Sequence, residues 1–230
     1  MGEARSPSEH PGHPTWVRIT HWIGAVAFFA LVVSGFAILL ALPRLFWGET
    51  GSNASPAWIV LPLLVDTEQT GWGRNVHFLA AWILVAAGAA YLTACAFGDR
   101  LRGRLIPERD QLRPRSILAE VQAHLPYGGV RHDGATDRRY NVLQKLAYLS
   151  VILILAPLMV LSGLTMSPGV TAAYPELFSI FGGRQSARTI HFLVACVLLA
   201  FVVVHVWQVL ANEPRSLMRA MLTGRKGRRL

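Results

Sequence analysis

Charge is scarce in this chain: 15% of its 230 residues are Asp, Glu, Lys or Arg, and only 13 are acidic. With 53% hydrophobic residues beside so few charges, an ordinary soluble domain of this size is excluded and a membrane is the expected setting. Sustained apolar–polar alternation is also missing. That excludes a closed β-barrel and leaves helices as the way to satisfy the backbone in lipid. Cysteine is nearly absent, with only Cys95 and Cys196. No Cys-x-x-Cys-His occurs, so a covalently attached c-type haem is excluded. Nor does any long low-complexity segment or soluble catalytic domain stand out.

Four apolar runs are present, at residues 16–42, 74–97, 141–166 and 188–211. Each is long enough to cross about 30 Å of hydrocarbon, which takes roughly 20 helical residues. The expected fold class is all-α, an integral membrane four-helix bundle. The first run is no cleavable signal peptide, because its apolar part exceeds the usual ~7–15 residues and carries Arg18, His21 and Trp22 near its start.

The basic residues set the orientation. Arg5 and Arg18, nine arginines from Arg100 to Arg139, Lys145, and six basic residues from Arg215 to Arg229 account for eighteen of the 22 Lys and Arg. Only Arg44, Arg74, Arg184 and Arg188 fall on the other side. The positive-inside rule then predicts a multi-pass membrane protein with both termini and the middle loop in the cytoplasm. The net charge of +9 follows from that topology and from attraction to membrane lipid head groups, so nucleic acid is not an expected partner. Cys95 and Cys196 fall about 20 Å apart in depth, which predicts no disulfide between them.

The connecting segments are uneven. Residues 1–15 read as a polar cytoplasmic tail and 212–230 as a basic one. The first outside loop, 43–73, carries Phe46, Trp47, Trp58 and Trp72, which read either as interfacial anchors or as a docking surface. The cytoplasmic loop, 98–140, holds a stretch at 114–125 with Ile117, Leu118, Val121 and Leu125 at helical spacing, suited to lying on the membrane surface. The second outside loop, 167–187, contains Tyr174, Pro175, Phe178 and Phe181 before Gly182-Gly183-Arg184. A weak internal echo pairs Ser34-Gly35, late in the first run, with Ser162-Gly163, late in the third. Small residues there admit close approach of a helix or of a flat cofactor.

Ionisable side chains are costly inside a bilayer and mark function there. Three times an arginine precedes a histidine by three residues near the start of an apolar run: Arg18 and His21, Arg74 and His77, Arg188 and His191. A fourth histidine, His205, lies fourteen residues beyond His191, a turn that returns to within about 40° of the same helix face and about 21 Å along the axis. One helix thus offers a ligand near each membrane surface. Alternating topology brings His77 to the depth of His191 on the outer side and His21 to the depth of His205 on the inner side. Two imidazoles suit the axial positions of a haem iron, whereas zinc usually takes four ligands, or three and a water. Arg18, Arg74 and Arg188, one turn nearer the surface, are placed to pair with haem propionates. The expected cofactors are two haem b groups. His10, His13, His124 and His132 read as solvated loop residues.

With Arg18-Ile-Thr-His21-Trp22, Arg74-x-x-His77, Tyr140-Asn141-Val142-Leu143-Gln144-Lys145, Arg188-x-x-His191 and His205 in place, the chain resembles the four-helix di-haem cytochrome b subunits of the formate dehydrogenase gamma, nickel-iron hydrogenase and thiosulfate reductase group. The segment from Met166 to His191, with Phe181-Gly182-Gly183-Arg184-Gln185-Ser186, is most similar to members paired with molybdopterin-dependent oxidoreductases. The resemblance implies a di-haem domain over 16–211 whose four histidines are axial ligands. It also implies a quinone site, for ubiquinone or menaquinone, at Asn141 and His205, with Tyr140 and Gln144 in the same polar cluster. The cytoplasmic loop is long for such a cytochrome, which leaves the shape of that site open. The implied function is electron transfer between a periplasmic oxidoreductase subunit or soluble electron carrier and the quinone pool.

Two other classes stay open at this point. A stand-alone di-haem quinone reductase oxidising a small species such as superoxide would need no partner, and a pull-down from solubilised membranes separates it from an anchor. A transporter using histidines as a proton relay would be colourless.

Overall fold

The structure is a computed structural model that describes residues 13–52, 55–65, 71–97, 142–211 and 214–224, together with 107, 112–115 and 118. Its elements in chain order are α1 (Thr15–Ala41), the short strands β1 (Arg44–Leu45) and β2 (Ile59–Val60), α2 (Trp72–Ala96), α3 (Val142–Thr165), α4 (Pro168–Ala173), α5 (Glu176–Phe181), α6 (Arg184–Ala211) and α7 (Pro214–Thr223). Among the described residues four helices, α1, α2, α3 and α6, are long and apolar enough to cross a membrane. They coincide with the four apolar runs, and the protein is a mostly helical membrane protein.

Local chemistry explains where these helices stop and bend. α1 ends at Leu42, extended at φ −150° and ψ 83°, because the residue before Pro43 is sterically barred from the helical region. α3 contains a widened π turn at Val151–Leu155 before its second α-helical part, Ala156–Thr165. Pro157 follows directly and has no N–H to offer the preceding turn, so the ladder is interrupted there. α5 stops at Gly182 and Gly183, with φ of 68° and 112°, and the chain turns into α6 one helical turn ahead of the apolar run. The buried hydroxyls of Ser34, Ser162 and Thr165 donate to carbonyls one turn back, which lets polar groups sit inside apolar spans.

The chain divides into two compact units. One consists of Met1–Arg44, Ile59–Thr93 and Leu199–Leu230. In it α1 and α2 pack closely, with a Cβ on Gly73 lying 3.3 Å from the Ala37 side chain and one on Gly24 3.7 Å from Leu84. The basic C-terminal segment, expected as a tail, begins with a helix: α7 buries Ala220 and ends against α1. There Arg18 Nη2 donates to Leu222 O at 2.6 Å and Trp22 Nε1 to Met221 O at 3.3 Å.

The other unit consists of Leu45–Trp58 and Ala94–Leu198. Here the segment after β1 is stapled to the start of α6. Gly48 O accepts from the N–H of Gln185 and Ser186 at 3.0 and 3.2 Å, Gly48 N donates to Ser186 Oγ at 2.7 Å, and Thr189 Oγ1 donates to Phe46 O at 2.7 Å. Two of the first-turn N–H groups that a helix leaves without partners are thereby satisfied by a remote carbonyl. Leu45 and Phe46 are buried beneath this strap, so Phe46 leaves the set of surface aromatics, while Trp47 and Trp58 stand exposed as a pair with centroids 5.4 Å apart. Cys95 and Cys196 are both free thiols. Of the amphipathic stretch at 114–125, only 114, 115 and 118 are described, all helical.

Candidate functional site

His21, on the first turns of α1, and His205, near the end of α6, face each other with ring centroids 6.4 Å apart and planes at 62°. A metal–imidazole bond is about 2 Å long and the ring centre lies a little over 1 Å beyond the nitrogen. Two imidazoles on opposite faces of one iron therefore have centroids about 6 Å apart. The observed separation fits that arrangement. Phe201, one turn before His205, lies nearly parallel to its ring at 6.3 Å, and Trp22 meets His21 at 5.4 Å, so neighbouring aromatics restrict both imidazoles.

Arg18 lies one turn before His21. While its Nη2 is committed to the end of α7, its Nε is buried with no hydrogen-bond partner among the described residues. A buried guanidinium N–H calls for an acceptor, and a carboxylate such as a haem propionate is the strongest available. The residues present at this end fit the group.

The same local arrangement of serine, glycine and histidine occurs twice, once in each unit. His77, on the second turn of α2, has Nδ1 3.1 Å from Ser34 Oγ of α1, and a Cβ on Gly35 would lie 3.3 Å from the ring's Cε1. His191 of α6 has Nδ1 3.1 Å from Ser162 Oγ of α3, and a Cβ on Gly163 would lie 3.3 Å from its Cε1. The echo noticed in the sequence is thus a pair of ring seats, one for each histidine. The small residues had been read only as permitting close approach. The clue to more was that each Ser-Gly pair sits late in the span preceding an Arg-x-x-His helix.

The other residues singled out from the sequence fall as follows. Arg74 is exposed and Arg188 half-buried, each one turn ahead of its histidine. Gln144 is half-buried and Lys145 buried on the first turn of α3. Tyr140 and Asn141 lie outside the described residues. Among the described residues no three His, Cys, Asp or Glu side chains converge as a zinc site requires.

Comparisons with known proteins agree with this chemistry. YedZ1 of Azospira oryzae, a putative protein-methionine-sulfoxide reductase subunit, is 36% identical over 217 residues, covering 92% of this chain and 96% of that one. The putative cytochrome YdhU of Escherichia coli is 25% identical over 90% of this chain and 71% of its own length. A probable Ni/Fe-hydrogenase B-type cytochrome subunit of Bradyrhizobium diazoefficiens is 22% identical over 91% and 83%. The family model for prokaryotic cytochrome b561 matches residues 12–224, a stretch that takes in all four spans and all four membrane histidines; the chain belongs to that family.

Proposed function

We propose that this chain is a di-haem membrane-anchor subunit that carries electrons between a periplasmic oxidoreductase and the quinone pool. Membership of the family makes it a membrane b-type cytochrome, an electron-transfer protein that takes haem b. The observation that carries the di-haem reading is the 6.4 Å separation of His21 and His205, which suits one iron, joined to two further histidines in matched Ser-Gly seats. His21 and His205 would hold the haem on the cytoplasmic side. The assignment of His77 and His191 to the outer haem is supported by their equivalent positions near the outer ends of their spans.

When bound, haem b supplies a one-electron Fe(III)/Fe(II) couple. The protein's part is to hold, orient and insulate. The histidines would hold the haem iron, Arg18, Arg74 and Arg188 would neutralise propionates, and the apolar spans would surround the site with low dielectric. Asn141, with Tyr140, Gln144 and the neighbourhood of His205, forms the quinone site for ubiquinone or menaquinone. No bond-making chemistry on a soluble substrate falls to this chain.

The partner reading draws support from relatives whose names mark them as subunits, one of a protein-methionine-sulfoxide reductase and one of a Ni/Fe hydrogenase. The proposed partner is a molybdopterin-dependent oxidoreductase on the periplasmic side. Placement in the inner membrane with both termini cytoplasmic is supported by the distribution of Lys and Arg.

Haem quantitation with oxidised and dithionite-reduced visible spectra of the purified protein is the test. Two non-covalent b-type haems per chain with sharp low-spin bands are expected. One haem per chain would sink the di-haem reading, and none in a folded preparation would sink the function as a whole.

A further inference from the structure

We infer that Ser34 and Ser162 are positioning residues that hold His77 and His191 with the proton on Nδ1 and Nε2 directed to iron, and that they thereby lower the reduction potential of the outer haem. The inference rests on the reading of those two histidines as haem ligands.

A serine hydroxyl has a single hydrogen to give. Ser34 spends it on its own helix, with Oγ 2.6 Å from Ala30 O and 3.3 Å from Leu31 O. The 3.1 Å contact between Ser34 Oγ and His77 Nδ1 must then be a hydrogen bond in which Nδ1–H donates. Ser162 is committed in the same way, its Oγ 3.1 Å from Met159 O. His191 Nδ1 lies 3.1 Å from Ser162 Oγ and also 3.1 Å from Met159 O. A carbonyl oxygen only accepts, so that second contact independently requires a proton on Nδ1. In a neutral imidazole protonated at Nδ1 the lone pair is on Nε2, which is the form that binds a metal through Nε2.

Burial secures the arrangement. Ser34 and Ser162 are both 0% exposed, so water does not compete for the ring nitrogen. Gly35 and Gly163 allow it, since a β-carbon at either position would press on Cε1, the ring atom next to Nδ1. The seat recurs although serine and histidine are 43 residues apart in one case and 29 in the other, so loop length does not explain it. At the inner pair, among the described residues, Trp22 and Phe201 lie beside the rings.

A ligand imidazole that donates its distal N–H to an oxygen is a stronger electron donor to the metal, which favours Fe(III) over Fe(II). The device therefore makes the outer haem harder to reduce than its ligands alone would.

The test is a potentiometric titration, followed by visible spectrum, of the full-length protein with Ser34→Ala, Ser162→Ala and both together. Alanine is smaller than serine and a better helix former, so the spans and haem content are retained. The expected result is a higher midpoint for the outer haem in each single variant. In the double variant the ratio of reduced to oxidised outer haem rises about tenfold at fixed potential, or about 59 mV for one electron. The inner midpoint stays in place, and Ser34→Thr, which keeps the hydroxyl, restores the original outer value. Unchanged outer midpoints in haem-replete alanine variants overturn the inference while leaving the ligand assignment standing. The assignment itself fails separately if His77→Ala and His191→Ala proteins still hold both haems.

Discussion

Gly183 lies so close to Gly48 that a β-carbon on it would sit 2.5 Å from the Gly48 carbonyl carbon and oxygen. This contact seats the strap on the first turn of α6, two and three residues from the Gln185 and Ser186 N–H groups that Gly48 O satisfies. Gly183 also has φ of 112°, a conformation L-residues rarely adopt. Gly183→Ala therefore combines backbone strain with a clash against main chain that has no flexible end to move. A loss of at least about 2 kcal/mol is expected, read as a lower midpoint in thermal unfolding of the detergent-solubilised protein. An unchanged midpoint would show that the strap is not part of the stable fold.

Removing one ligand of a haem should release that haem and spare the other. His21→Ala and His205→Ala are expected to halve the haem content and leave identical residual spectra, while His77→Ala and His191→Ala share a different residual spectrum. Equal loss of both haems in every variant would point to general misfolding. Haem-to-protein stoichiometry with difference spectra decides between these.

Gly35→Ala and Gly163→Ala separate helix stability from haem seating. Alanine should stabilise the helix interior by up to about 1 kcal/mol, yet each new Cβ presses on a histidine ring at 3.3 Å. Faster transfer of the outer haem to an excess of a haem-binding acceptor is expected, with the unfolding midpoint unchanged or higher. Haem loss no faster than in the parent protein would mean that the rings yield without consequence.

Replacing Asn141 with leucine should weaken binding of a quinone analogue while haem content stays at the parent level. Analogue binding followed by its perturbation of the inner haem spectrum is the measurement. Undiminished binding would move the quinone site away from the start of α3.

The end of α7 is held to α1 by two long side chains reaching its terminal carbonyls. Cations and N–H donors near a helix C-terminus complement its dipole and its unpaired carbonyls. With Arg18→Ala and Trp22→Phe combined, α7 should become cleavable under limited proteolysis that leaves the four spans intact. Equal resistance would mean that other contacts hold it.

Much of this architecture was legible in the residues alone, because the bilayer imposes one simple requirement. A run of about 20 apolar residues with an internally bonded backbone has few options, so the four spans followed from run length. The histidines stood out because a polar ring at a span is expensive, and their spacing on α6 placed two of them on one face. The outcome differed where a side chain meets something distant along the chain. Ser34 and Ser162 looked like packing residues, since nothing in a Ser-Gly pair names the ring it will touch 43 or 29 residues on. Nothing in the sequence around Arg18 announces that its Nη2 will reach Leu222 O, 204 residues away. α7 was expected as a basic tail. Run length determined which segments are long and apolar enough to cross the membrane. The rotation of each helix about its axis and the path of each loop, which set the hydrogen-bond partners of every ring and guanidinium, were decided only when the helices packed.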